Sequence, residues 1–305
     1  MWRRTRVTRG QRHSVQRGRL SFRRVVPPLT HRSLPRTLIV ADLNVVEGGR
    51  RDYVLPDGVG LVLPRVMFDE VLGKPDSRGE DRARSVFGKL HDLLVRNRGR
   101  VLLGRNPGEI DAAEHNPDVL LDARHWIALD HSELFRLTDD DRNAFVTRTM
   151  EISRTWDWSF SKTLAAEFQS FREDWKTRGE RMISAEDAGV FRGHPEHRMA
   201  FARHPARVAL SAVSNPKFAS GRWAQSLAQF PDRYSWPRWK RLYDWYGLQA
   251  FLYPDSNGDR FRNDFEDAQY AHLASHAGAI ATNDRGLIET MKTLFPSTRV
   301  LRSLP

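Results

Sequence analysis

At 305 residues the chain is long enough for one large domain or two ordinary ones, and 40% hydrophobic residues suffice for a substantial core. Cysteine is absent, which excludes disulfides and thiolate metal sites and is compatible with a reducing, cytoplasmic setting. No apolar run approaches the roughly 20 residues of a spanning helix, so a soluble protein without a membrane partner is expected.

The net charge of +11 points towards nucleic acid, but its location narrows that inference. Residues 1–36 hold 11 arginines and no acid; of 49 basic residues this leaves 38 for the rest of the chain, against 38 acidic ones. The arm has no periodic apolar face and reads as disorder or linker. Three readings stay open for it: a basic nucleic-acid tether, an Arg-rich presequence, or translated leader from a GC-rich coding sequence.

From Thr37 the character changes. Leu38-Ile39-Val40-Ala41 reads as a buried strand, with Asp42 and Asn44 at its C-terminal end, where ligands bind in open parallel sheets. A loop through Gly48-Gly49 and Pro56-Asp57-Gly58 precedes a second strand, Gly60 to Leu63. Pro64 then opens a helix with Val66, Met67, Val71 and Leu72 on one face and Glu70 in its second turn. Pro75 to Glu80 is predicted as a turn, Asp81 to Arg96 as an amphipathic helix, and Arg100 to Gly104 as a third strand. This order suits an α/β sheet.

Residues 105–250 break the rhythm. Asp122 to Asp130 is predicted as a short helix. Thr138 is the expected N-cap of a long helix that begins at Asp139-Asp140-Asp141 and runs, with a break, to about Arg178. Asn215-Pro216 and Trp236-Pro237 open two more. Eight of nine tryptophans fall between 126 and 245, which predicts a mostly helical insertion with its own aromatic core.

The closing stretch, Asn263 to Leu287, carries the densest chemical signal. Asp264 and Asp267 stand three residues apart and so leave one helix face together, while Phe265, Ala268, Ala271, Leu273 and Ala274 form its apolar side. Gly278 ends the helix in a left-handed turn, and a short strand, Ala279 to Ala281, delivers Thr282 and Asp284. Clustered carboxylates repel one another unless a cation compensates, and hard oxygen ligands suit Mg²⁺ or Mn²⁺. The bland reading of each acid alone is a helix cap or a solvated charge.

Other signals are weaker. His194, His197 and His204 lie in a proline-bounded loop without helical pairing and read as ordinary surface histidines. Asp139-Asp140-Asp141 reads as a helix start rather than a metal site.

Taken in order, these motifs resemble the PIN-domain nucleases. Leu38 to Asn44 is similar to the family's opening strand with its Asp-x-Asn. Leu63 to Glu70 resembles its proline-led helix with an acid, and Asp267-Ala268 and Ala281-Thr282-Asn283-Asp284 resemble its third and fourth elements. The resemblance covers about residues 37–104 and 251–305. It implies a three-layer α/β sandwich around a mostly parallel sheet, one or two Mg²⁺ or Mn²⁺ ions, and cleavage of phosphodiester bonds, most often in RNA. Asp42, Glu70, Asp264, Asp267 and Asp284 would be the catalytic and metal-binding acids, with Asn44 and Thr282 in support. Arg285 and Arg262 are candidates for phosphate contact. The interval from Glu70 to Asp267 is far longer than in compact members of the family. The expected function is a metal-dependent endoribonuclease acting on single-stranded RNA. A non-catalytic RNA- or protein-binding module, or a toxin held by an antitoxin partner, are the alternatives.

Overall fold

The computed structural model describes residues 35–50, 52–72, 77–104, 126–128, 141–155, 166, 168–170, 173, 192, 238–253 and 258–305. A six-stranded sheet forms the centre. Its strands are β1 (Thr37–Ala41), β2 (Val59–Leu63), β3 (Val101–Gly104), β4 (Trp126–Ala128), β5 (Ala279–Ala281) and β6 (Arg299–Leu301). Their spatial order is β4-β3-β2-β1-β5-β6, parallel throughout except for β4, which runs antiparallel to β3. Ile39, Val40 and Ala41 are all buried, as are Leu61, Val62 and Leu63. Consecutive strand residues point to opposite faces, so the sheet is covered on both sides, as parallel sheets require.

The helices are α1 (Leu43–Gly48), α2 (Arg65–Leu72), α3 (Ser77–Arg96), α4 (Arg142–Thr155), α5 (Arg238–Leu252), α6 (Gly258–Ala277) and α7 (Arg285–Leu294). α6 packs on β1 and β5 and touches α2, α5 and α7, while α4 packs against α3 and α2. At Gly88 a side chain would collide with the Arg142 guanidinium, so glycine there lets α4 cross α3 closely, and Arg142 Nε donates to Gly88 O at 3.2 Å. Phe145, Phe168, Trp239 and Tyr243 join the sheet residues in one hydrophobic cluster.

The strand order reverses beside β1. The chain leaves β1 for β2 and β3 on one side, and returns through α6 to β5 and β6 on the other. At such a switch point the crossovers diverge and leave a crevice at the C-terminal strand ends. Backbone bonds close it from below: Asp42 N donates to Ala281 O at 3.0 Å, and Thr282 N to Leu301 O at 2.9 Å.

Three expectations change. Trp126 to Ala128 is a strand rather than part of a helix from Asp122 to Asp130; its apolar residues pair with the open edge of β3, a tertiary gain that outweighs local helix preference. α3 begins at Ser77, inside the turn expected from Pro75 to Glu80; Ser77 and Glu80 have the Ser-x-x-Glu spacing that starts helices, and Arg84 pairs with Glu80 at 3.3 Å. α4 begins at Arg142 rather than at Asp139, because Asp141 Oδ1 accepts from Ala144 N at 2.9 Å and caps it. The stretch after Asp42 forms the short helix α1, held down by Arg82 Nε on Glu47 Oε1 at 2.5 Å and by Lys89 Nζ on Glu47 O. Thr138, Asp139, Asp140, the Asn215-Pro216 helix and the three loop histidines lie outside the described residues. Gly278, at φ +85, ends α6 in the left-handed turn expected of it.

The loop from Tyr53 to Asp57 is held by Asn97 and by Arg100, whose Nη1 donates to Leu55 O at 2.8 Å and to Pro56 O at 3.1 Å. Asn97 Oδ1 accepts from Leu55 N at 2.7 Å, and its Nδ2 donates to Tyr53 O at 3.0 Å and Leu93 O at 2.9 Å. Asn97→Ala removes all three bonds and leaves buried backbone groups unsatisfied, so urea denaturation should show a loss of about 2–3 kcal/mol. A change below about 0.5 kcal/mol would show that the loop does not depend on this anchor.

Candidate functional site

Asp42 leaves the end of β1 and is buried, with 6% of its surface exposed. Its main-chain carbonyl starts α1 by accepting from Val45 N and Val46 N, but its side chain does not cap that helix. Oδ2 instead accepts from Thr282 Oγ1 at 2.5 Å and from Asn44 Nδ2 at 2.7 Å. Thr282 lies 240 residues further on, so this bond ties the ends of β1 and β5 together through the site itself. Thr282 Oγ1 also accepts from Asp284 N at 3.0 Å, and Asn44 Oδ1 from Asn283 N at 3.4 Å. One hydroxyl and one amide therefore orient both strand ends.

Asp284 is the N-cap of α7, its Oδ1 accepting from Leu287 N at 2.8 Å. The ordinary capping role and a place in the acid group coincide in this residue. A side-chain carbon at Gly286 would stand 3.2 Å from Asp284 Oδ1 and 3.9 Å from Asp267 Oδ2, so the two carboxylates flank one point at the start of α7. Asp264, one turn before Asp267 on α6, is buried. Glu70, on α2, accepts from Tyr270 Oη at 3.1 Å through Oε2.

These acids feel one another. Burial raises the Asp42 carboxyl above its ordinary range; the bonds from Thr282 and Asn44 oppose the rise, and the charge of Asp284 adds to it. Asp267 is pushed well above the usual carboxylate range, first by desolvation and then by Asp284, Asp42, Asp264 and Glu70 in turn. Its largest influences all act upward. Glu70 rises from 4.5 to about 7, chiefly by burial, then by Glu266 and Asp42; the Tyr270 bond and Arg82 pull the other way. The other four predicted acids are thus all within electrostatic reach of Asp267.

Three participants escaped the sequence reading. Tyr270 holds Glu70, buried Glu266 repels it, and the phenol of Tyr246, raised by burial and then by Asp267, faces the same group from α5. Glu266 and Tyr270 are four residues apart on α6, a spacing that puts them on one helical strip and was the available signal. Tyr246 carried none, since an aromatic residue at helical spacing reads as core. Arg285 is exposed at the start of α7, and the side chain of Arg262 lies outside the described residues.

The donor chemistry suits a hard divalent cation: carboxylate oxygens of one sign, partly desolvated, with supporting hydrogen bonds. Among the described residues, no three His, Cys, Asp or Glu side chains stand ready to grip an ion as they are. Also among them, no helix is long and apolar enough to cross a membrane. Comparison with protein-family models, curated proteins and solved structures finds no match.

The Glu70 shift has a defined consequence for the metal-free protein. Between pH 4.5 and about 7 the folded state binds more protons at Glu70 than the unfolded chain, so its contribution to stability falls as pH rises through that window. Glu70→Gln should therefore be more stable than the parent at pH 8, by on the order of 2 kcal/mol after allowing for solvent screening, and lose that advantage near pH 4. Denaturation at the two pH values in the presence of a chelator measures it; an advantage equal at both would contradict the assignment.

Proposed function

We propose that this protein is a metal-dependent nuclease of PIN-like architecture that cleaves single-stranded RNA. The observation that carries the proposal is the grouping of Asp42, Glu70, Asp264, Asp267 and Asp284 around the switch point of a parallel sheet, where the charges of the other four raise the Asp267 carboxyl. Repulsion of this kind costs stability, and a cation offsets it. The order of the five parallel strands and the sites of the four sequence motifs also support the reading.

When bound, Mg²⁺ or Mn²⁺ would polarise a phosphoryl oxygen and supply a water-derived nucleophile at neutral pH. Asp42, Glu70, Asp267 and Asp284 would hold it, and Asp264, one turn behind Asp267, would adjust the charge of the set. Thr282 and Asn44 hold one oxygen of the Asp42 carboxylate and leave the other without a bond from them, and Tyr270 holds one oxygen of Glu70 in the same way. No side-chain nucleophile is required.

Incubation of a labelled single-stranded RNA with Mn²⁺ tests the proposal. Asp42→Asn and Asp284→Asn should each fall to background, whereas Thr282→Ala should retain activity reduced about 10- to 100-fold, the usual cost of losing a group that orients a metal ligand. Cleavage unchanged in both Asp variants would overturn the metal-site reading. Tight RNA binding without cleavage by the parent protein would favour the non-catalytic module. An RNase toxin would instead show cleavage that a co-encoded small protein suppresses.

A further inference from the structure

Beside the acids, a groove of about 460 Å³ opens between the C-terminal end of α1 and the segment after β6. Asn44, Arg50, Tyr53, Asn283 and Arg302 are among its lining residues. Asn44 belongs to both features: its amide nitrogen donates to Asp42, and its amide oxygen accepts from Asn283 N on the groove side. The groove therefore lies next to Asp42, with the Asn44 side chain between them.

Its charge is opposite to that of the cleft. Arg50 and Arg302 are both exposed, and neither side chain makes an ion pair or hydrogen bond among the described residues. The Tyr53 hydroxyl is buried and has no hydrogen-bond partner there either. A buried donor left unsatisfied is unfavourable, and an occupant with an acceptor oxygen relieves it. Two free guanidinium groups and an unpaired hydroxyl match a phosphodiester backbone, because guanidinium pairs with phosphate in a planar fork and the hydroxyl finds further acceptors on phosphate and sugar. The volume suits a segment of about one nucleotide.

We propose that this groove is the subsite that seats a backbone phosphate of single-stranded nucleic acid next to the carboxylate cleft, with Arg50 and Arg302 as its cations and Tyr53 as its fixed donor. A cleft lined by carboxylates repels a polyanion, so a strand needs cations beside it to approach, and the two arginines stand there. The choice of nucleic acid as occupant rests on the nuclease reading; the groove, its charge and its place next to Asp42 do not.

Fluorescence anisotropy of a labelled 12-nucleotide RNA, and of the DNA of the same sequence, on the full-length chain tests this with EDTA present so that no strand is cut. Arg50→Ala with Arg302→Ala should weaken binding of both strands about tenfold and reduce the slope of log K against log salt by about 0.7 for each arginine, while leaving the thermal midpoint and Mn²⁺ binding unchanged. Arg50→Lys with Arg302→Lys should restore the salt slope but only part of the affinity. Unchanged affinity and slope in the double alanine variant would overturn the subsite. If the parent cuts no RNA with Mn²⁺ but the double variant still loses binding and slope, the nuclease reading fails and the subsite stands. If Asp42-dependent cleavage is observed and the double variant binds like the parent, the subsite alone fails.

Discussion

The mutual repulsion of carboxylates gathered at one end of a parallel sheet is the constraint on which the rest of this architecture depends. Each acid is brought in by a different element: Asp42 by β1, Glu70 by α2, Asp264 and Asp267 by α6, and Asp284 by the turn after β5. No local interaction would hold them together. The hydrophobic cluster under β1, β2, β5 and α6 supplies the cohesion, and the bond from Thr282 to Asp42 joins chain segments 240 residues apart. A fold that spends stability in this way concentrates its repulsion at the switch point of its sheet.

Sequence reasoning reached the acids because their signals are local. Asp42 follows an apolar strand, Glu70 follows a proline, and Asp284 follows Ala279 to Ala281; in each case a few adjacent residues define both the element and the position on it. The same holds for Gly278, whose left-handed turn is written in the residue type. Trp126 to Ala128 was illegible for the opposite reason. Its strand state comes from the exposed edge of β3, more than 20 residues earlier, and nothing within the segment favours strand over helix. Asp284 caps α7 and also raises the Asp267 carboxyl, so capping does not keep an acid from acting on the group.

The groove beside Asn44 was equally hidden. Arg50 and Arg302 are far apart in the chain, and no local pattern marks them; the short helix α1 and β6 bring them to the two sides of one groove. Asn97 sets the loop that carries Tyr53, so the groove depends on a buried amide on α3 as much as on its own residues. The net charge had drawn attention to the arginines of residues 1–36. Within the neutral body, the arrangement of charge, acid in the crevice and basic beside it, is the more specific feature.

The most direct test of the central claim is to locate a cation by its anomalous scattering in crystals of the protein grown with Mn²⁺. The account predicts a peak between the carboxylates of Asp42, Asp267 and Asp284, with Glu70 drawn towards it, and no peak there for Asp267→Asn. An empty crevice at saturating Mn²⁺, or a peak only at a surface remote from Asp42, would contradict it.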